Sequence, residues 1–161
     1  MNRRALSTEE QRLAFFLGTW SNSGQVSPGP FGPGGSVTGE TIYHWDVGGR
    51  WLLYTSRLNL PQMGAYEVHG GVAYDSQAAK YAAFAVNSLD NLLVYDGEWT
   101  DDVTLVFTLV HPPPVGRARV IYRKLPNGSF TMTSGGRQKL ELMRAGLADK
   151  SPPRPDPLHQ F

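Results

Sequence analysis

The second predicted hairpin carries side chains that could orient a polar ligand or move a proton: His44, Tyr54 and Ser56. An imidazole titrates near neutral pH, and a phenol or hydroxyl beside it can hold a ligand head group. We therefore predict that these three side chains bind a ligand, with His44 also a candidate general acid or base. The alternative for His44 is an imidazole hydrogen-bonded within the protein wall.

The faces on which these side chains lie depend on the turn at Val47-Gly48-Gly49. A three-residue loop would pair His44 with Leu52 and put His44, Leu52, Tyr54 and Ser56 on one side. A two-residue Gly48-Gly49 turn would pair His44 with Leu53 and exchange the partners. The residues alone leave both registers open.

A second candidate pair lies in the segment from Tyr66 to Tyr74, where Glu67 and His69 share a strand face. A carboxylate two residues along the strand can raise the imidazole pKa or fix its tautomer, as proton transfer requires. Both residues are therefore candidate ligand contacts, and His69 is a second catalytic candidate. On an outer wall the same pair would be a solvated ion pair.

The segment from Tyr81 to Ser88 alternates small and large residues, which leaves volume on one face. Because the pattern does not show which face is interior, Phe84 and Asn87 are proposed as one ligand contact on each face. The full set of predicted ligand-binding residues is His44, Leu52, Tyr54, Ser56, Glu67, His69, Phe84 and Asn87.

Neither a metal site nor a cofactor is predicted. His44, His69 and His111 lie in strands or at strand ends, but no HxH or HExxH spacing is present. The chain has no cysteine, so thiolate ligands and disulfides are excluded. Phosphate loops, dinucleotide fingerprints and nucleophile elbows are also absent from the sequence.

The elements that position these residues begin with a capping box at Ser7-Thr8-Glu9-Glu10. It predicts a short helix that runs through Leu17 and lays its apolar side on the rest of the fold. The following Gly18-Thr19-Trp20 predicts a first strand whose tryptophan plugs the floor of a barrel. We expect Trp20 to pack under a late-strand cation such as Arg137 or Lys139.

After Trp20 the hydrophobic period changes to two, with Gly, Pro, Asn and Asp clusters between the segments. This pattern predicts ten strands: Thr19 to Val26, Val37 to Asp46, Arg50 to Leu58, Tyr66 to Tyr74, Tyr81 to Ser88, Leu92 to Trp99, Val103 to Val110, Arg117 to Lys124, Ser129 to Thr133 and Gln138 to Met143. The last of these could instead begin a helix.

Short connections favour antiparallel pairing of sequence neighbours, so the predicted fold class is all-β. The predicted architecture is an up-and-down antiparallel β-barrel of about ten strands with a short N-terminal helix. An open sandwich is the alternative. We expect the barrel domain to span residues 1–149, with a mobile flap at 27–36 and a proline-rich, disordered tail at 150–161.

Three segments together resemble the calycin superfamily, which includes lipocalins, fatty-acid-binding proteins and nitrobindin-like proteins. They are Leu13-Ala14-Phe15-Phe16-Leu17-Gly18-Thr19-Trp20, Gly39-Glu40-Thr41-Ile42 and Val47-Gly48-Gly49-Arg50-Trp51-Leu52-Leu53-Tyr54-Thr55. With Gly71-Val72-Ala73-Tyr74-Asp75, the chain is most similar to an uncharacterised bacterial calycin-like family. The resemblance implies a ligand inside a barrel and favours the register with His44 inward. It does not extend to the late-strand histidine by which nitrobindin-like proteins hold haem, because residues 137–144 contain none.

The composition of the chain limits the kinds of partner that we expect. Fifteen basic and fourteen acidic residues give a formal net charge of +1, so we expect no nucleic-acid partner. Arg117, Arg119 and Arg123 read as an exposed basic stripe, with an inward arginine for a ligand carboxylate as the alternative. No run of about 18 apolar residues predicts a membrane span, so a cytoplasmic protein is the default. A homodimer is left open.

These patterns predict that the protein binds a small, mostly apolar or aromatic molecule inside the barrel. The alternative is a barrel enzyme, a cyclase or isomerase that uses His44 or His69 as a general acid or base. A third hypothesis is an interaction module that uses the flap or the tail.

Overall fold

The computed structural model describes residues 5–29, 32–61, 63–113, 118–135 and 138–144. Ten antiparallel strands close into a barrel in which each strand pairs with its sequence neighbours and the first pairs with the last. The predicted fold class is therefore confirmed. The strands are β1 Gly18–Val26, β2 Gly35–Asp46, β3 Trp51–Leu60, β4 Gly64–Asp75, β5 Lys80–Asn87, β6 Leu92–Trp99, β7 Thr104–His111, β8 Arg119–Lys124, β9 Phe130–Ser134 and β10 Gln138–Arg144.

A short helix, α1 Thr8–Leu13, precedes the barrel and is followed by a 3-10 turn, Ala14–Phe16. The predicted capping box is confirmed: the Glu10 amide donates to Ser7 Oγ at 3.2 Å, and the Ser7 amide donates to Glu10 Oε2 at 2.7 Å. The regular helix is shorter than the predicted one, because the backbone tightens into the 3-10 turn before it enters β1.

The helix closes one end of the barrel. The Tyr81 hydroxyl donates to the Glu9 carbonyl at 2.8 Å, and the Arg12 guanidinium donates to the Asp101 carbonyl at 3.1 Å. Beneath the helix, Trp20 is fully buried and its indole N–H donates to the Phe16 carbonyl at 2.7 Å. This end of the barrel is therefore a packed floor.

The cation over Trp20 is Arg144, whose guanidinium carbon lies 4.4 Å from the indole centroid. Lys139, one of the two cations named from the sequence, does not have this position. Lys139 lies opposite Gln25 in the β1–β10 ladder and is exposed, and Arg137 lies outside the described residues. Arg144 is opposite Trp20 in that ladder, so the register decides which cation reaches the ring.

The β2–β3 register differs from the one that the resemblance favoured. Four residues, 47–50, form the turn, and Asp46 lies opposite Trp51. His44 therefore pairs with Leu53, and Tyr43 takes the inward position opposite Tyr54. A change of one residue in a connection reverses the faces of one strand relative to the other, because strand side chains alternate. Here the strand with reversed faces is β2.

The final segment forms a strand and completes the barrel, so the helical alternative is wrong. Of the predicted flap, the described part contains a bridge between Gly29 and Gly32, and residues from Gly35 onward belong to β2. The predicted tail lies outside the described residues. Within the described ranges, no helix is long and apolar enough to cross a membrane.

Candidate functional site

The barrel interior holds a partly open cavity of about 160 Å³ above the packed floor. It extends toward Asn87 and Ser134, which end β5 and β9 on the side opposite α1. Much of its wall is apolar. The apolar side chains include Leu58, Val68, Val72, Ala83, Ala85, Leu93, Phe107, Val120, Met132, Leu140 and Leu142.

One side of the cavity carries a hydrogen-bonded chain across β1, β2 and β3. Asn22 Nδ2 donates to Thr41 Oγ1 at 2.7 Å, and Thr41 Oγ1 lies 2.7 Å from Ser56 Oγ. Asn22 and Thr41 are buried, with 4% and 1% of their surfaces exposed. Asn22 Oδ1, however, has no hydrogen-bond partner among the described residues. The chain therefore ends in a buried acceptor.

Five tyrosines also line the cavity: Tyr43, Tyr54, Tyr66, Tyr95 and Tyr122. Burial raises the pKa of Tyr43 and of Tyr54 well above the usual value, and neighbouring phenols raise both further. Burial also raises the pKa of Tyr66, Tyr95 and Tyr122. All five side chains therefore remain neutral phenols near neutral pH, able to donate as well as accept.

No charged side chain lines the cavity within the described ranges. Arg119 and Arg123 are exposed, which places the described part of the predicted basic stripe on the outer wall. A buried charge without a partner is costly, so a neutral lining disfavours a charged ligand group.

Four of the sequence-predicted site residues face the interior. Tyr54, Ser56 and Asn87 line the cavity, and Leu52 lines a smaller space of about 20 Å³ near the floor. Phe84 contributes to the cavity wall, but its ring packs on the outer side against Trp51, with 5.7 Å between the ring centroids. The ligand-binding roles of all these residues stay predictions.

His44 points outward, so its predicted inward orientation is wrong. Its side chain is 56% exposed, and Nε2 lies 3.8 Å from the Asp46 carboxylate. The physical reason is the four-residue turn, which gives the inward position to Tyr43 instead.

Glu67 and His69 also lie on the outer wall, with 44% and 53% of their side chains exposed. His69 Nε2 lies 2.5 Å from Glu67 Oε1, and His69 Nδ1 lies 3.1 Å from Thr55 Oγ1. The hydrogen bond with His69, followed by the nearby Arg57 charge, lowers the pKa of Glu67. The pair is the solvated alternative considered above, and it does not line the cavity.

The described part of the chain contains no cluster of metal-ligating side chains. No group of three or more His, Asp or Glu side chains there is arranged to hold an ion.

Sequence reasoning missed Asn22, Thr41 and four of the five tyrosines. A signal for Asn22 was available, because it follows the inward Trp20 by two residues on the same strand. Thr41 and Tyr43 face the interior because His44 faces outward, and the faces of all three depend on the same turn.

The fold and cavity together define a closed ten-stranded up-and-down barrel with a neutral, mostly apolar interior. The chain belongs to the DUF1579 family, described as "Protein of unknown function", whose model matches residues 6–127. No curated protein matches the chain.

Solved structures share the architecture. The crystal structure of Rv2717c from M. tuberculosis is similar with a TM-score of 0.56 and 17% identity, covering 87% of this chain and 99% of that one. A redesigned β-barrel, mFAP0, bound to DFHBI, gives a TM-score of 0.41 at 12% identity and covers 81% and 99% of the two chains. At these identities the likeness to Rv2717c supports the fold alone, and the lower TM-score of mFAP0 carries no functional weight.

Proposed function

We propose that this protein binds a small, mostly apolar molecule inside its barrel, as the calycin superfamily does. The observation that carries the proposal is the cavity itself, a space of about 160 Å³ whose mostly apolar wall also carries the Asn22–Thr41–Ser56 chain and five neutral phenols. Close-packed interiors leave few voids larger than a water molecule, so such a space has a packing cost. A ligand that fills it recovers the lost contacts.

The volume sets the size of the ligand. An engineered apolar cavity of about 150 Å³ binds benzene, whereas pockets for drug-sized ligands measure about 300–1,000 Å³. The cavity therefore suits a molecule with one ring or two small fused rings. A haem or a long fatty acid is too large to lie wholly within this volume.

The enzyme hypothesis required an imidazole beside the bound molecule. His44 and His69 lie on the outer wall, and no histidine lines the cavity among the described residues. Binding is therefore the function that we propose.

The test compares two alanines of β5 that face opposite sides of the wall. Ala85 is buried and lines the cavity, whereas Ala82 alternates with Ala83 and Tyr81, which are buried, and does not line it. We expect Ala85→Leu to fill the cavity and Ala82→Leu to leave its volume unchanged.

Thermal unfolding is then measured for each protein with benzene, toluene and indole. Ligand at about 100 times its Kd adds about 2.7 kcal/mol of stability, which raises the Tm of a domain of this size by several degrees. We expect this shift in the wild type and in Ala82→Leu, and none in Ala85→Leu. No shift with any neutral ring, or an undiminished shift in Ala85→Leu, would overturn the proposal.

A further inference from the structure

We infer that the molecule held in the barrel is neutral and carries an N–H or O–H group that donates a hydrogen bond to Asn22 Oδ1. This inference rests on the proposed function and specifies the chemical class of the ligand. It comes from one unpaired buried atom, from the direction of the hydrogen bonds around it and from the charge of the cavity wall.

The amide oxygen of Asn22 is buried and unpaired. Asn22 is 96% buried, lines the cavity and uses Nδ2 to donate to Thr41 Oγ1. Its Oδ1 has no partner within the described residues. Buried polar atoms in folded proteins are nearly always paired, because an unpaired one has lost its water without compensation. A donor supplied by a ligand would satisfy Asn22 Oδ1.

The hydrogen-bonded chain begins with a donor of Asn22. Because Nδ2 donates to Thr41 Oγ1, the Thr41 hydroxyl is free to give its proton to Ser56 Oγ, 2.7 Å away. The Ser56 hydroxyl then has its own proton to donate. In this orientation the polar side of the cavity has an unpaired acceptor at Asn22 and a donor at Ser56, and an N–H or hydroxyl group of a ligand complements the acceptor.

The cavity wall is uncharged within the described ranges. The described lining contains neither a cation nor a carboxylate, and its tyrosines stay protonated. A carboxylate or ammonium ligand would lose its hydration without meeting an opposite charge. The ligand class is therefore a small neutral ring compound with a donor, such as a phenol or an indole.

Indole and benzofuran test this directly, since they have nearly the same shape and only indole carries an N–H. Affinities are measured by titration calorimetry on the wild-type protein. We expect indole to bind at least roughly tenfold more tightly than benzofuran, because only indole pairs Asn22 Oδ1. Benzoate, a charged ring of similar size, is expected not to bind.

Variants test whether the preference for indole over benzofuran depends on Asn22 Oδ1. Asn22→Leu keeps a side chain of similar volume without the amide, and Thr41 retains Ser56 as its partner. In this variant we expect the affinity for indole to fall to that for benzofuran, and the affinity for benzofuran to change little. Asn59→Leu makes the same change at an exposed position of β3 that does not line the cavity, and it should preserve the preference.

The outcomes separate this inference from the proposed function. Equal affinities, or tighter binding of benzofuran, would overturn the donor assignment and leave interior binding intact. If toluene stabilised the protein and neither fused ring bound, the donor assignment would also fail. If no neutral ring bound at all, both proposals would fall together. The wild-type comparison needs no variant to fold.

Discussion

Arg144 covers the indole of Trp20 across the β1–β10 ladder, with its guanidinium carbon 4.4 Å from the ring centroid. The same guanidinium donates to the carbonyls of Leu17 and Phe15, each at 2.9 Å. One side chain of the last strand thus ties together the first strand and the segment that leads from the helix into it. This contact closes the floor at the junction of the two chain-terminal strands of the barrel.

Removing the Arg144 side chain should destabilise the barrel. Arg144→Ala loses two charge-assisted hydrogen bonds and a cation–π contact, so we expect a loss of about 2–4 kcal/mol. Arg144→Lys keeps the charge but not the forked geometry, so its stability should lie between that of the wild type and that of Arg144→Ala. Urea unfolding followed by Trp fluorescence measures both. A loss below about 0.5 kcal/mol for the alanine variant would contradict the assigned role.

Gly97 is required by close packing. A Cβ at this position would lie 2.4 Å from Cε1 of Phe107, which covers the glycine from the neighbouring strand. Gly97→Ala should therefore cost about 1–3 kcal/mol. In a Phe107→Leu background the cost should shrink, since the atoms that clash are gone. Equal costs in both backgrounds, measured by chemical unfolding, would argue against this explanation.

The strands could be predicted from the sequence because each wall segment is apolar on one face and polar on the other. All ten strands and the capping box follow from that periodicity and from local hydrogen bonding. The register was not predictable in the same way. At the β2–β3 connection Val47, Gly48 and Gly49 all have positive φ, at 52°, 71° and 76°, and form a longer turn than expected. The number of residues in the turn sets which residues pair across the hairpin. This pairing decides which side chains of β2 face the cavity.

The site was accordingly predicted in part. Tyr54 and Ser56 face the interior, as predicted. The chemistry of the cavity also depends on the side chains that β1 and β2 place beside them. Asn22 and Thr41 complete the polar side, and their contact is a product of the β1–β2 ladder, where Trp20 lies opposite Thr41 and Asn22 opposite Gly39. Such contacts between strands are absent from the pattern of any single segment.

The lining tyrosines predict an alkaline limit to stability. Burial raises the pKa of Tyr43, Tyr54 and Tyr122 above the usual value of 10.0. Their neutral forms therefore stabilise the fold fully below pH 10, and this contribution is lost as the pH rises above it. Ultraviolet titration of tyrosinate should show most phenols ionising only as far-UV circular dichroism reports unfolding. Ionisation of all seven tyrosines near pH 10 in the folded protein would contradict the burial of these rings.

The Glu67–His69 pair on the outer wall predicts a lowered pKa for the Glu67 carboxyl. The hydrogen bond with His69 holds the pKa of Glu67 below its ordinary value of 4.5, with Arg57 adding to it. The ionised carboxylate thus stabilises the fold above about pH 4.5, and that contribution disappears as the pH falls through the lowered pKa. NMR titration of the Glu67 carboxyl carbon should show a larger return toward 4.5 in His69→Gln than in Arg57→Gln. The reverse order would contradict the dominant role of His69.

The location of a bound ring is the most direct test of the account. With indole added to methyl-labelled protein, isotope-edited NOE spectra should connect its ring protons to the interior methyl groups of Val68, Leu140 and Leu142. Ile42 and Val86, which are exposed on the outer wall, should show none. NOEs to Ile42 and Val86 without any to the interior methyl groups would contradict binding inside the barrel.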